Sequence, residues 1–192
     1  LTNLGGTGLR SGITTQFGGF SAAGTTIVSV PASLLRTTDM HELSISADGA
    51  WRATTIYYRN PIDHAVRMGA PLATPVVTSV AASPYQRYRA QFAAGEYIGA
   101  GRLEVSQTGK TFQVWVTAGY LGTTPSTWDI TMPDLSNVPG WSDSYGLASG
   151  VPTSAYVAGL DKAVINFFAV SSGGPVEEGT YRSASEIVTI EE

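Results

Sequence analysis

The chain has 192 residues, enough for one large or two small domains with a real core. Only 14% of residues are charged, 11 basic against 15 acidic for a net charge of −4, and just two are lysine. That balance argues against a nucleic-acid backbone binder, which needs a basic stripe. No apolar run approaches the roughly 20 residues of a membrane helix. With no cysteine, disulfide frameworks and thiolate zinc sites are excluded. The surface is built instead from 19 Ser, 22 Thr and 22 Gly.

The chain opens Leu1-Thr2-Asn3 without an initiator Met, as a protein does after leader cleavage, and this predicts export to the cell surface or medium. Residues 1–20 carry Leu4, Leu9, Ile13, Phe17 and Phe20 among six glycines. They predict an extended arm that adds a strand to its own domain or to a neighbouring copy.

From there the hydrophobic period is two almost everywhere, the mark of strands. Thr25–Val30 is the first candidate, closed by Pro31. His41–Ser46 and Trp51–Tyr58 predict a hairpin across an Asp48-Gly49 turn. Residues 59–75 read as a connection punctuated by Pro61, Pro71 and Pro75. Val76–Val80 is the next strand. Tyr85–Phe92 then alternates cleanly, with Tyr88, Ala90 and Phe92 on one face and Arg87, Arg89 and Gln91 on the other.

Arg102–Ser106 and Thr111–Ala118 predict a second hairpin, in which Phe112, Val114 and Val116 oppose Gln113, Trp115 and Thr117. Trp128–Thr131 is short. Residues 133–154 form a long connection with three Pro and three Gly. Ala155–Ala158, the apolar Ala163–Val170 and Ser185–Ile190 complete the strands. Helical turns are expected only at Ala32–Leu35 and around Ile62–Met68. Ten or eleven short strands without βαβ spacing predict an all-β, antiparallel sandwich. The organisation expected is an arm (1–20), an N-terminal β-region (21–70) and a sandwich (71–192), or one continuous domain.

The run Val164-Ile165-Asn166-Phe167-Phe168-Ala169-Val170, the Ser171–Gly174 turn and the Ser-rich strand 181–190 close the chain. Together they resemble the end of a bacterial extracellular fibronectin type III or related immunoglobulin-like module. The resemblance covers about thirty residues and implies a β-sandwich beginning near Pro71. The Trp that such modules place on their second strand is missing from Tyr85–Phe92, and the 133–154 connection is longer than theirs. The family brings no catalytic residues, and a sandwich fold names no function.

Chemistry-bearing sets are sparse. His41 near Asp39 and His64 beside Asp63 lack a third metal ligand at close spacing. Gly146-Leu147-Ala148-Ser149-Gly150 is displaced by one residue from a nucleophile elbow, and no helix is expected after it. Gly5-Gly6-Thr7-Gly8 lacks the Lys of a phosphate loop. Glu96 and Glu104 are the one mid-chain glutamate pair near aromatics that glycoside hydrolysis could use. Asn3, Asn60, Asn137 and Asn166 form no glycosylation sequon.

Aromatics are the richer class, with four Trp and nine Tyr. Trp115 opposes its strand's apolar stripe, Trp141 and Tyr145 lie in the long connection, and Tyr57 and Tyr58 cannot both point inward. Exposed aromatic planes suit a protein interface or a sugar ring. The expected function is therefore a non-enzymatic exported subunit of a bacterial surface or extracellular assembly, such as a filament, sheath or surface layer. It would need no cofactor and would pack against copies of itself or a surface partner. A carbohydrate-binding module, with Trp115, Trp141 or Tyr145 in one row, is the alternative, and a virion or phage surface protein a further one.

Overall fold

The computed structural model describes residues 2–3, 10–11, 36, 39–47, 51–60, 62–163 and 177–190. Among these, eleven strands run in chain order: β1 Thr2–Asn3, β2 Arg10–Ser11, β3 Asp39–Ala47, β4 Arg52–Tyr58, β5 Val76–Ala81, β6 Arg87–Ala93, β7 Ala100–Gln107, β8 Lys110–Thr117, β9 Thr127–Thr131, β10 Thr153–Leu160 and β11 Gly179–Ile190. The expected all-β antiparallel sandwich is what forms. Thr25–Val30, Ala32–Leu35, the Asp48-Gly49 turn, residues 164–170 and the arm residues Leu4, Leu9, Ile13, Phe17 and Phe20 lie outside the described residues.

The chain forms two compact units. The smaller holds Leu1–Ile45, Thr55–Val66 and Ile165–Thr180, with strand order β2-β1-β3-β4. Both described pieces of the N-terminal arm pair within the chain: Thr2 lies opposite Met40 and Asn3 opposite Asp39, while Arg10 and Ser11 pair with Asn3 and Thr2. In this unit Arg59 N donates to Glu178 Oε1 at 2.6 Å.

The larger unit holds Ser46–Thr54, Arg67–Val164 and Tyr181–Glu192. One of its sheets has the order β4-β11-β10-β7-β8, the other β5-β6-β9. The two pack face to face. Leu103, Val105, Ala155 and Val157 of the first meet Tyr88, Ala90, Phe92, Trp128 and Ile130 of the second, all buried. Strand alternation produces this directly, since every second side chain turns to one face.

One place in that core is shaped by missing side chains. Gly101 of β7 lies opposite Gly159 of β10. A Cβ on Gly101 would stand 2.8 Å from the Trp128 ring, and one on Gly159 would stand 2.7 Å from Tyr97 Cβ. The paired glycines form the seat for both aromatics. The Trp128 indole N–H, fully buried, donates to the Tyr97 carbonyl at 2.7 Å. Without that acceptor the N–H would lose its bond to water with nothing in return.

Helix and connection depart from expectation at three places. Ala118 does not extend β8; it opens a one-turn helix, α1 (Ala118–Leu121). Thr117 Oγ1 accepts from Tyr120 N, and Gly122 at φ 68° closes the turn. A single 3₁₀ turn also forms at Asp143–Tyr145. Ile62–Met68 takes no helical turn; at its C-terminal end side chains hold the backbone carbonyls of Arg67, Gly69 and Ala70. Thr54 Oγ1 donates to Arg67 O at 3.1 Å and Arg52 Nη1 to Gly69 O at 2.8 Å. Tyr97 completes the clamp, its hydroxyl donating to Ala70 O while Glu96 Oε1 accepts from Ala70 N at 2.5 Å.

Glu96 is shared. Its other oxygen pairs with Arg182 Nη1 at 2.7 Å, and Arg182 Nε reaches Asp161 at 3.1 Å. Burial, and then the Glu96 charge, push the Tyr97 phenol up to about 12 from its ordinary 10.0. A raised phenol pKa means that the unfolded chain ionises first. The stability Tyr97 contributes is therefore complete below pH 10 and is lost as pH rises toward 12.

Two predictions follow from this core. Gly101→Ala destabilises by about 1–3 kcal/mol in urea denaturation, because the new Cβ would stand 2.8 Å from both the Trp128 ring and Ile130 Cδ1. In alkaline titration followed by absorbance, one tyrosine ionises near pH 12, and Tyr97→Phe removes both that step and the accompanying fall in stability between pH 10 and 12.

Candidate functional site

The outward face of β8-β7-β10-β11 collects the larger unit's most organised polar and aromatic side chains. Along β7, Leu103 and Val105 turn into the core, so Arg102, Glu104 and Ser106 turn out. Register then places Trp115 opposite Arg102, Gln113 and Tyr156 on either side of Glu104, and Thr111 and Ser154 on either side of Ser106. On β11, Ile187 lies opposite Tyr156 and is 52% exposed. A row Gln113-Glu104-Tyr156-Ile187 thus crosses four strands, a span of about 14 Å at the usual strand spacing.

Arg102 is the pivot of this face. Its guanidinium lies 5.0 Å from the Trp115 ring centre and 4.9 Å from that of Tyr156, held by cation–π attraction to both. It pairs with Glu104, which also accepts from Gln113 Nε2 at 3.0 Å. Beside it opens a groove of about 310 Å³ lined by Arg102, Glu104, Ser106, Ser154, Tyr156 and Ile187. That volume sits at the lower end of small-molecule sites.

The aromatics marked in the sequence separate. Trp115 is half-buried on the outward face, beside Arg102. Trp141 lies on the other side of β8, because its ring packs on Phe112, at 5.7 Å, and on buried Tyr85, at 5.2 Å. Tyr145 touches Trp141 edge-on at 5.9 Å and remains 61% exposed. Trp115, Trp141 and Tyr145 therefore form no single row. Tyr57 is buried in β4 rather than offered to a ligand.

Trp141 instead closes the long connection onto the sandwich. Tyr85 Oη donates to Pro133 O at 2.9 Å and accepts from Leu135 N at 2.7 Å. Gln107 binds Ala148 through both amide atoms, and Lys110 Nζ donates to Ser144 O at 2.7 Å. Gly146 lies so close to Tyr85 that a Cβ there would collide with that side chain.

Glu96 and Glu104 end in separate ion pairs, with Arg182 and Arg102. Among the described residues no three His, Asp or Glu side chains gather at a common point. His41 and His64 do come together, but through an aromatic: their rings lie 4.9 Å and 4.2 Å from Tyr58. Burial raises the Tyr58 phenol above its ordinary value. On the second sheet, Arg89 hydrogen-bonds Asp129 at 2.6 Å and holds that carboxyl below the usual range. Among the described residues no helix is long and apolar enough to cross a membrane.

Compared with protein-family models, curated proteins and solved structures, the chain has no significant match. The residues that build the outward groove were half visible in the sequence. Arg102-x-Glu104-x-Ser106 alternates against apolar Leu103 and Val105, whereas Tyr156 and Ile187 join them only through strand register.

Trp141→Ala should release the connection without unfolding the sandwich. Amide exchange at residues 135–147 rises, while that of β7 and β10 stays slow. The stability lost is about 1–3 kcal/mol, below the 3–5 kcal/mol typical of a fully buried aromatic.

Proposed function

We propose that this chain is a non-enzymatic structural subunit of a surface or extracellular assembly, working by packing against copies of itself. The observation that supports it best is the edge of the three-stranded sheet. Among the described residues β5 pairs with β6 alone, leaving a row of backbone groups on its other side. Proteins usually guard such edges with Lys, Glu or Pro. The six residues Val76-Val77-Thr78-Ser79-Val80-Ala81 include none of these. Val76 is 58% exposed and Val80 42%.

The pattern also suits a second copy in particular. Val76-x-Thr78-x-Val80 reads the same in both directions. Two antiparallel β5 strands centred on Thr78 set each Val76 against the other's Val80, which is a two-fold, self-complementary contact. The register slip between Ser79 and Ala81 leaves Val80 opposite no residue of β6. With only two lysines in the chain, few strongly hydrated, mobile charges oppose close approach. Export fits the low-charge Ser, Thr and Gly surface.

Sedimentation velocity tests this. The full chain self-associates as its concentration rises toward about 100 μM. A Val76→Lys/Val80→Lys double variant stays folded and monomeric, since charge on an edge opposes pairing. A wild-type chain that remains monomeric throughout, or a double variant that assembles equally well, overturns the reading.

A further inference from the structure

The outward groove differs in kind from the β5 edge. Its floor is the interior of a sheet: β7 lies between β8 and β10, and β10 between β7 and β11. Their backbone groups are consumed in ladders, so a peptide cannot add there as a strand. Whatever binds must be read by side chains alone.

Those side chains alternate donor, acceptor and apolar surface over a short distance. Arg102 supplies N–H donors and Glu104 supplies acceptor oxygens. Ser154 supplies a hydroxyl that does both, and Ser106 one that also shares a hydrogen bond with Thr111 Oγ1 at 3.1 Å. Tyr156 and Ile187 add an apolar strip beside them. A vicinal pair of hydroxyls needs this combination, because each hydroxyl both donates and accepts. The C–H face of a pyranose ring suits the strip.

Charge narrows the choice. Arg102 is paired with Glu104, so the groove holds no uncompensated cation for a phosphate or a carboxylate. The guanidinium is also rigid. It is clamped between two rings, and its side chain is only 20% exposed. Little conformational freedom then remains to be lost on binding.

From these features we infer that the groove on β7 and β10 binds a neutral oligosaccharide, with Arg102 and Glu104 gripping adjacent hydroxyls and Tyr156 and Ile187 lying against the ring. The groove's lining spans three strands, β7, β10 and β11, about 10 Å at the usual strand spacing, so the ligand is a short chain of sugars rather than a single ring. This activity is independent of self-association through β5, and either can fail without the other.

The test is an amide NMR titration of the full chain with three neutral hexasaccharides: β-1,4-glucohexaose, β-1,4-mannohexaose and α-1,4-glucohexaose. Each is raised to about 10 mM, which nearly saturates a site with a Kd of about 1 mM. Hexagalacturonate serves as the acidic comparison. At least one neutral sugar shifts the amides of residues 102–106, 154–156 and 187. Arg102→Lys, which keeps the charge but loses the planar fork, weakens binding at least about tenfold. Tyr156→Leu, which keeps apolar bulk but loses the ring, does the same, and dispersed spectra confirm that both variants are folded. If Arg102→Lys does not fold, Glu104→Gln takes its place with the same expected loss. No shift with any neutral sugar overturns the inference. So do binding of the acidic chain alone, shifts centred on Trp141 and Tyr145, or unchanged affinity in the folded variants.

Discussion

The larger unit rests on a reciprocal fit between two aromatic side chains and two glycines. Trp128 and Tyr97 come close to β7 and β10 only because Gly101 and Gly159, facing each other across those strands, have no Cβ. The indole N–H then finds the Tyr97 carbonyl, which settles the one polar atom of the largest buried side chain. Close-packed interiors leave few voids of a methyl's size, so the spacing between the sheets at this point is set by the glycine pair. Tyr97 extends the same constraint outward. Its hydroxyl holds Ala70, its neighbour Glu96 holds both Ala70 and Arg182, and Arg182 reaches Asp161.

Once the inward face is fixed in this way, the outward face follows from geometry. A strand cannot bury Leu103 and Val105 without presenting Arg102, Glu104 and Ser106. The same register that brings Gly101 opposite Gly159 brings Glu104 opposite Tyr156. The core and the candidate groove are therefore two sides of one alignment. A one-residue slip would send every side chain of the slipped strand to the other face and dismantle both.

The long connection and the β5 edge show two ways to handle exposed irregular surface. Residues 133–152 are tied down by Tyr85, Gln107, Lys110 and Trp141, so a stretch with three prolines and three glycines still has a defined course. The β5 edge has no comparable cover among the described residues. Val76 and Val80 remain exposed there, while Val77 turns to the core.

Local patterns in the sequence determined the fold class and the facing of individual strands. Tyr88, Ala90 and Phe92 lie inside because period two requires it, and Thr108-Gly109 turns the β7–β8 hairpin because Gly109 accepts φ 76°. Such features depend on residues a few positions apart. The glycine seat, the joining of Arg102 to Tyr156 and the inward turn of Trp141 were decided by tertiary structure. Each depends on register or contact between segments about 30 to 60 residues apart, set by packing across the whole sandwich and by no short-range preference. Trp115 shows the boundary between the two levels. Alternation placed it on the outward face, and only the fold supplied the arginine that lies against it.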